Sequence, residues 1–254
     1  MARVVVVSGG GTGIGRAVAE RFAHDGEEVV VVGRRADVLD RTAAEITAAG
    51  APAKVVALAA DLSEAAEADR VRAVLGERYG RVDVLVHSAG GNAALGPSPA
   101  HGSPAARAAA HWDANFRSNV LTTVLLTEAL RDLFTAPGGR IVLLSSIAAY
   151  RGSGSGSYAG AKAALHPYAY DLAAALGGQG VTVNVVAPGY IAETEFFRGN
   201  LSAERERTLV GQTSTGRAGT PQDVAETVHW LASAGAGQVT GQIIQVNGGA
   251  ERGR

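Results

Sequence analysis

Residues 4–33 read VVVVSGGGTGIGRAVAERFAHDGEEVVVVG. Two runs of four valines, at 4–7 and 29–32, stand on either side of a helix-forming stretch, and neither run alternates with polar residues. Continuous apolar runs this short suit strands buried on both faces of a parallel sheet. Ser8 to Gly15 lies between the first run and a helix predicted over 16–25. Within it Gly9, Gly13 and Gly15 form a GxxxGxG pattern, with Gly11, Thr12 and Ile14 completing the turn. Missing side chains permit a tight turn and let a pyrophosphate reach the backbone N–H groups at the helix N-terminus, where the helix dipole also favours an anion. By itself the pattern also fits a plain strand-to-helix turn, and its βαβ setting is what favours the phosphate-binding reading.

The same alternation continues along the chain. The second strand ends at Gly33-Arg34-Arg35, where an acidic residue would receive the adenosine ribose hydroxyls of a dinucleotide; two arginines stand there instead, either a surface pair or a site for a further phosphate. A helix over 36–49 and a strand over 53–60 deliver Asp61-Leu62, and Asp61 either contacts an adenine or caps the helix predicted over 63–79. The strand 82–86 leads to His87-Ser88-Ala89-Gly90-Gly91, small residues that let a ligand lie against the chain. Pro97, Pro99 and Pro104 punctuate a long loop placed to shape a substrate mouth. A helix is predicted over 111–133, carrying Asn115 and Asn119 in its interior. After strand 181–186 come Ala187-Pro188-Gly189-Tyr190-Ile191, then a segment with Phe196-Phe197 that reads either as a lid over 190–215 or as a surface helix. A helix over 221–233 and a strand over 242–246 close the pattern. The expectation is one α/β domain spanning 1–254, a doubly wound, Rossmann-like parallel sheet.

Chemistry concentrates between Gly139 and Leu165, GRIVLLSSIAAYRGSGSGSYAGAKAAL. A short apolar strand ends in Ser145-Ser146, a Ser/Gly loop follows, and an Ala-rich helix begins at Tyr158. Tyr158 and Lys162 share a helix face, about 5–6 Å apart at Cβ. An ammonium at ~4 Å in an effective dielectric of ~20 is worth up to ~4 kcal/mol to a phenolate, so Lys162 is expected to lower the phenol pKa from ~10.

Composition narrows the partners. A formal charge of −1 and a pI near 6.6 leave no basic footprint for nucleic acid or anionic lipid. There is no cysteine, so disulfides and thiol catalysis are excluded, and the six histidines lack metal-ligand spacing, so no metal is expected. The N-terminal valine run is too short to span a membrane. A cytoplasmic protein acting on small molecules is expected.

Together the glycine turn, Asp61-Leu62, Ala89-Gly90, Asn119, the paired serines, Tyr158/Lys162 and Pro188-Gly189 resemble the short-chain dehydrogenase/reductase family, over residues 4–249. The segments Gly216-Arg217-Ala218-Gly219-Thr220-Pro221 and Val239-Thr240-Gly241-Gln242 resemble its 3-oxoacyl-acyl-carrier-protein reductase branch. The resemblance implies hydride exchange between NADP(H) and a carbonyl or secondary alcohol. Tyr158 would be the proton donor, Ser146 would bond the carbonyl oxygen, Lys162 would hold the nicotinamide ribose and tune Tyr158, and Asn119 would hold a relay water. Ser88, Ala89, Gly90 and Asp61 would line the adenosine side, and Pro188, Gly189, Ile191 and Thr194 the nicotinamide. It also implies a homotetramer and a carbonyl substrate, free or bound to a carrier protein. Three positions depart from the family pattern. His87-Ser88 replaces an Asn-Asn pair; the serine-to-tyrosine spacing would select Ser145, whereas the Ser-Ser-Ile-Ala motif selects Ser146, which we favour; and Thr194 falls one residue late after Pro188-Gly189. An oxidative alcohol dehydrogenase of the same family and a cofactor-binding regulator with a silent site are the alternatives.

Overall fold

The valine runs form two adjacent interior strands of a seven-stranded sheet. In the computed structural model, which describes residues 2–96, 102–197 and 199–252, β1 (Val4–Ser8) pairs with β2 (Glu28–Gly33) on one side and β4 (Val84–His87) on the other. Between them run α1 (Gly13–His24), α2 (Ala36–Ala48), β3 (Val55–Ala59) and α3 (Ala65–Arg78). Next come α4 (Pro104–Phe116), α5 (Thr122–Ala129), β5 (Arg140–Leu144), α6 (Ala148–Arg151) and α7 (Gly156–Gly177). The chain closes with β6 (Thr182–Pro188), α8 (Ala203–Gly211), α9 (Pro221–Leu231) and β7 (Ile243–Val246). All pairings are parallel, in the order β3-β2-β1-β4-β5-β6-β7. The order reverses between β1 and β4, and such a switch point opens a crevice beyond the strand ends.

Register explains why the strands are apolar throughout. Val5 stands opposite Val29 and Val84, and with Val7, Val31 and Val86 it packs under α1 and α9. Val6, Val30, Leu85, Ile141 and Leu143 point the other way, into a second core with residues of α3, α5 and α7. Each such side chain contributes about 1.5–3 kcal/mol on burial, so a polar residue on either face would be costly.

The helix expected over 111–133 differs in the structure. It starts earlier, at Pro104, because Ser103 accepts a hydrogen bond from the Ala106 N–H and proline suits the first helical position. A π-turn over Arg117–Leu121 then interrupts it, with Asn119 inside the turn, and α5 ends at Ala129. The widened ladder leaves the Asn115 carbonyl to accept from the Asn119 side chain at 2.9 Å. In α7, by contrast, the helix runs continuously through Pro167. Pro97 and Pro99 lie outside the described residues, and no helix among the described residues is long and apolar enough to cross a membrane.

His87, at the end of β4, is wholly buried. Its Nε2 shares a 2.8 Å hydrogen bond with the Thr127 hydroxyl of α5, while Nδ1 has no hydrogen-bond partner. Burial pushes its pKa from 6.5 down to about 3. Between those values the unfolded chain binds a proton that the native state refuses. The stability present above pH 6.5 is therefore lost as pH falls towards the folded value, by about 1.4 kcal/mol per pH unit. His87→Asn is expected to reduce the drop in unfolding free energy between pH 7 and pH 5 by about 2 kcal/mol, measured by denaturant titration. An unchanged drop would show that His87 is not the acid-sensitive group.

Candidate active site

Two clusters form at the carboxyl edge of the sheet. The first surrounds the glycine turn. Gly9 has φ 67°, and a Cβ there would stand 2.7 Å from the Ala89 nitrogen; a Cβ on Gly15 would stand 2.2 Å from the Gly9 carbonyl oxygen. Only glycine lets β1, α1 and the Ser88-Ala89 strand end approach this closely. Gly11, Thr12, Gly13 and Arg16 line a cleft of about 340 Å³, faced across the opening by Glu193, Thr194 and Glu195. Ile14 points back into the core.

The expected late threonine does reach this cleft. Glu193 takes φ 58°, the left-handed region. Thr194 then lies beside Gly13, its methyl 3.4 Å from where a Cβ would stand. Pro188 and Gly189 are fixed by backbone bonds from Ile147 N–H to the Pro188 carbonyl and from Gly189 N–H to the Val246 carbonyl. Ile191 is buried and bridges to Gly219.

The helix end at this cleft is open to an anion. The first turn of α1 carries no acidic residue and Thr12 makes no side-chain cap, so the leading amides and the dipole remain available to a phosphate. At the β2 end both arginines are exposed, and Arg35 reaches across to Glu195 at 2.9 Å. Asp61 accepts hydrogen bonds from the Ser63 N–H and hydroxyl, which makes it a local cap. Burial raises its pKa, but these bonds and the charges of Arg34 and Arg117 outweigh that and hold it below the usual carboxylate range. Leu62 belongs to the core, so only its backbone can face a ligand.

The second cluster is built on α7. Tyr158 and Lys162 are both nearly inaccessible, and the Tyr158 hydroxyl faces Ser146. Ser146 also accepts from the Ala148 N–H at 3.1 Å, which fixes its rotamer at the start of α6. Ser145 faces away: its hydroxyl donates to the Lys162 carbonyl at 3.0 Å and lies 2.8 Å from His166 Nε2, which must then be the donor of that pair. The structure thus brings Ser146, and not Ser145, to the phenol. Asn119 is wholly buried. Its side chain accepts from the Gly91 N–H at 3.1 Å and donates to the Gly91 carbonyl at 2.9 Å. A Cβ on Gly90 would meet Asn119 Oδ1 at 2.5 Å and Lys162 Nζ at 3.2 Å, so Gly90 is the point where the two side chains converge.

The electrostatics differ from the expectation raised by helical spacing. Lys162 donates to the Leu144 carbonyl at 2.7 Å, and burial brings its pKa down to about 8. The Tyr158 phenol is not lowered: burial pushes it up to about 12, opposed only by the Ser146 hydrogen bond. Desolvation of both groups outweighs the attraction that their spacing suggested. At neutral pH the cluster therefore holds a neutral phenol and an ammonium, a proton donor beside a cation. Over them lies an aromatic row, with Phe196 5.5 Å from Tyr158, Phe197 5.0 Å from Phe196 and Tyr190 6.0 Å from Phe197.

Asn115 and the Leu144 carbonyl were not assigned roles from the sequence. Asn in a helix interior was the available signal for the first; a backbone acceptor leaves none.

Known proteins match this arrangement along nearly its whole length. The family model described as enoyl-(acyl carrier protein) reductase matches residues 9–251. The chain is 34% identical to the short-chain reductase protein NovJ of Streptomyces niveus, covering 97% of this chain and 93% of that protein. It is 30% identical to the 3-oxoacyl-[acyl-carrier-protein] reductase FabG of Escherichia coli strain K12, covering 97% and 96%. A short-chain dehydrogenase from Burkholderia cenocepacia J2315, solved in complex with NADP, superposes with a TM-score of 0.84 at 28% identity over 98% of this chain and 97% of that one. The crevice at the strand switch point and these full-length matches lead to one assignment: the chain belongs to the short-chain dehydrogenase/reductase family of oxidoreductases.

Proposed function

We propose that the protein is an NADP(H)-dependent carbonyl reductase acting on a 3-oxoacyl thioester or a related ketone. The observation that carries this reading is the buried cluster at the carboxyl edge, where Tyr158 faces Ser146 and Lys162 converges with Asn119 on Gly90. Similarity to the 3-oxoacyl reductase FabG and to the NADP complex supports the substrate class and the cofactor. When bound, reduced nicotinamide supplies a hydride to the carbonyl carbon. Tyr158 gives its proton to the carbonyl oxygen, so ketone plus hydride plus proton becomes a secondary alcohol. The Ser146 hydroxyl donates a hydrogen bond to the same oxygen and stabilises the charge that grows there. Lys162 holds the nicotinamide ribose hydroxyls and returns a proton towards Tyr158, with Asn119 ordering the water that connects the site to solvent. With its pKa raised by burial, the phenol keeps its proton at neutral pH and can donate it.

The segment 190–215 acts as a lid, its aromatic row excluding water above Tyr158. A homotetramer is part of the reading, supported by Trp112, Phe116, Tyr170 and Trp230, large side chains left exposed on α4, α7 and α9. A panel of ketones, 3-oxoacyl thioesters and secondary alcohols, followed by the absorbance of reduced nicotinamide with both cofactors, tests the reading. Turnover of 3-oxoacyl thioesters with NADPH is expected; tight NADPH binding with no turnover of any ketone would identify a silent regulator instead.

The choice between serines carries its own test. Ser146→Ala is expected to lower kcat/KM by about 10²-fold or more, as loss of one donor to a developing oxyanion does. Ser145→Ala should be milder, since its hydroxyl serves the α7 backbone. A larger loss in Ser145→Ala would reverse the assignment.

A further inference from the structure

The Ser/Gly loop that precedes Tyr158 has almost nothing to hold it. Gly152 and Gly154 sit at φ 74° and 80°, and neither they nor Gly156 have an atom of another part of the chain within 4 Å of where a Cβ would stand. Helix α7 begins at Gly156 with no side-chain cap from Ser155. Yet Ser157 and Tyr158 are buried, and the phenol must meet Ser146 within a fraction of an ångström.

The fixed point is Asn115, on the last turn of α4 and 0% exposed. Its Nδ2 donates to the Ser157 hydroxyl at 2.9 Å and to the His111 carbonyl at 3.1 Å. Its Oδ1 accepts from the Ala93 N–H at 3.0 Å, and its carbonyl accepts from Asn119 Nδ2 at 2.9 Å. Asn119 in turn binds both backbone groups of Gly91. Asn115 thus joins three pieces of the site: its side chain ties the loop after β4 to the residue immediately before Tyr158, and its backbone carbonyl holds Asn119 in the π-turn. A second, longer contact runs in parallel, from the Ser155 hydroxyl to Asn92 Oδ1 at 3.4 Å.

We propose that Asn115 is the positioning residue that sets Tyr158 relative to Asn119, acting through Ser157. The proposal rests on the catalytic reading of Tyr158. A carboxamide does this where an apolar side chain would not, because both N–H donors and the oxygen are used in three directions. A buried amide with every partner in place has one geometry, whereas a packed hydrocarbon could slide. The dinucleotide cleft, built on the glycine turn, does not include Asn115.

The test uses the full-length protein with Asn115→Leu, Ser157→Ala and the double variant, with Tyr158→Phe as reference. Each single variant is expected to lose about ten- to a hundredfold in kcat, the usual effect of displacing a reacting group by about 1 Å, with NADPH affinity changed less than about threefold. The double variant should be no worse than the weaker single one, since both break the same link. In the ligand-free protein, amide hydrogen exchange over 91–95 and 153–158 should rise while that of the glycine turn stays unchanged. A folded Asn115→Leu or Ser157→Ala with kcat within about threefold of the parent, or NADPH affinity falling in step with kcat, overturns the proposal. Should Asn115→Leu fail to fold, Ser157→Ala decides alone. Active Tyr158→Phe would instead overturn the catalytic reading itself, and the positioning role with it; inactive Tyr158→Phe beside a normal Asn115→Leu overturns only the positioning role.

Discussion

Tyr158→Phe is expected to bind NADPH as the parent does and to reduce ketones at less than about a hundredth of its rate, since general acid catalysis is typically worth 10²–10⁴-fold. The ring is 5% exposed and packs against Phe196, contacts that phenylalanine keeps. Only the hydroxyl that faces Ser146, with its proton, is removed. Lys162→Ala should harm binding and turnover together, because the ammonium is assigned both to the ribose and to the proton path. Steady-state kcat beside NADPH binding by fluorescence separates the two patterns. Turnover above about a hundredth in Tyr158→Phe would contradict its role as acid.

The second large effect is on cofactor choice. With two arginines, and no acidic residue, directly following β2 in the chain, kcat/KM is expected to favour NADPH over NADH by roughly ten- to thousandfold, from charge-assisted bonds of about 1.5–3 kcal/mol weakened by exposure. The two arginines are not equivalent. Arg35 already shares its charge with Glu195 across the cleft, whereas Arg34 stands near Asp61 and is the freer partner for a 2′-phosphate. Arg34→Asp should therefore narrow or reverse the preference, by repelling the phosphate and offering an acceptor to the ribose hydroxyls of NADH. Equal kcat/KM for both cofactors in the parent, unmoved by the substitution, would show a merely solvated pair.

The scaffold was legible because its signals are local. Valine runs fully buried on both faces, and glycines whose Cβ atoms would strike neighbouring backbone, follow from the chain's own pattern. The alternation of runs and helices then leaves little choice of topology. What was not legible depends on groups far apart in sequence. In the π-turn the Asn119 side chain takes the Asn115 carbonyl and binds Gly91, 28 positions away, and no periodicity announces that. Helical spacing put Lys162 near Tyr158, but the sign of the phenol shift is set by burial, and the ammonium turns to the Leu144 carbonyl. His87 in place of asparagine was visible; that Thr127 would satisfy one of its nitrogens and nothing the other was not.

Transfer of the hydride is the central claim, and isotope labelling tests it most directly. The parent enzyme is given NADPH carrying deuterium at both C4 positions and the best ketone of the panel, and the alcohol is examined by mass spectrometry and NMR. One deuterium per molecule at the carbinol carbon, with none on the hydroxyl after exchange with water, is the predicted result. An alcohol without that label, or no alcohol from any ketone offered, would contradict the account.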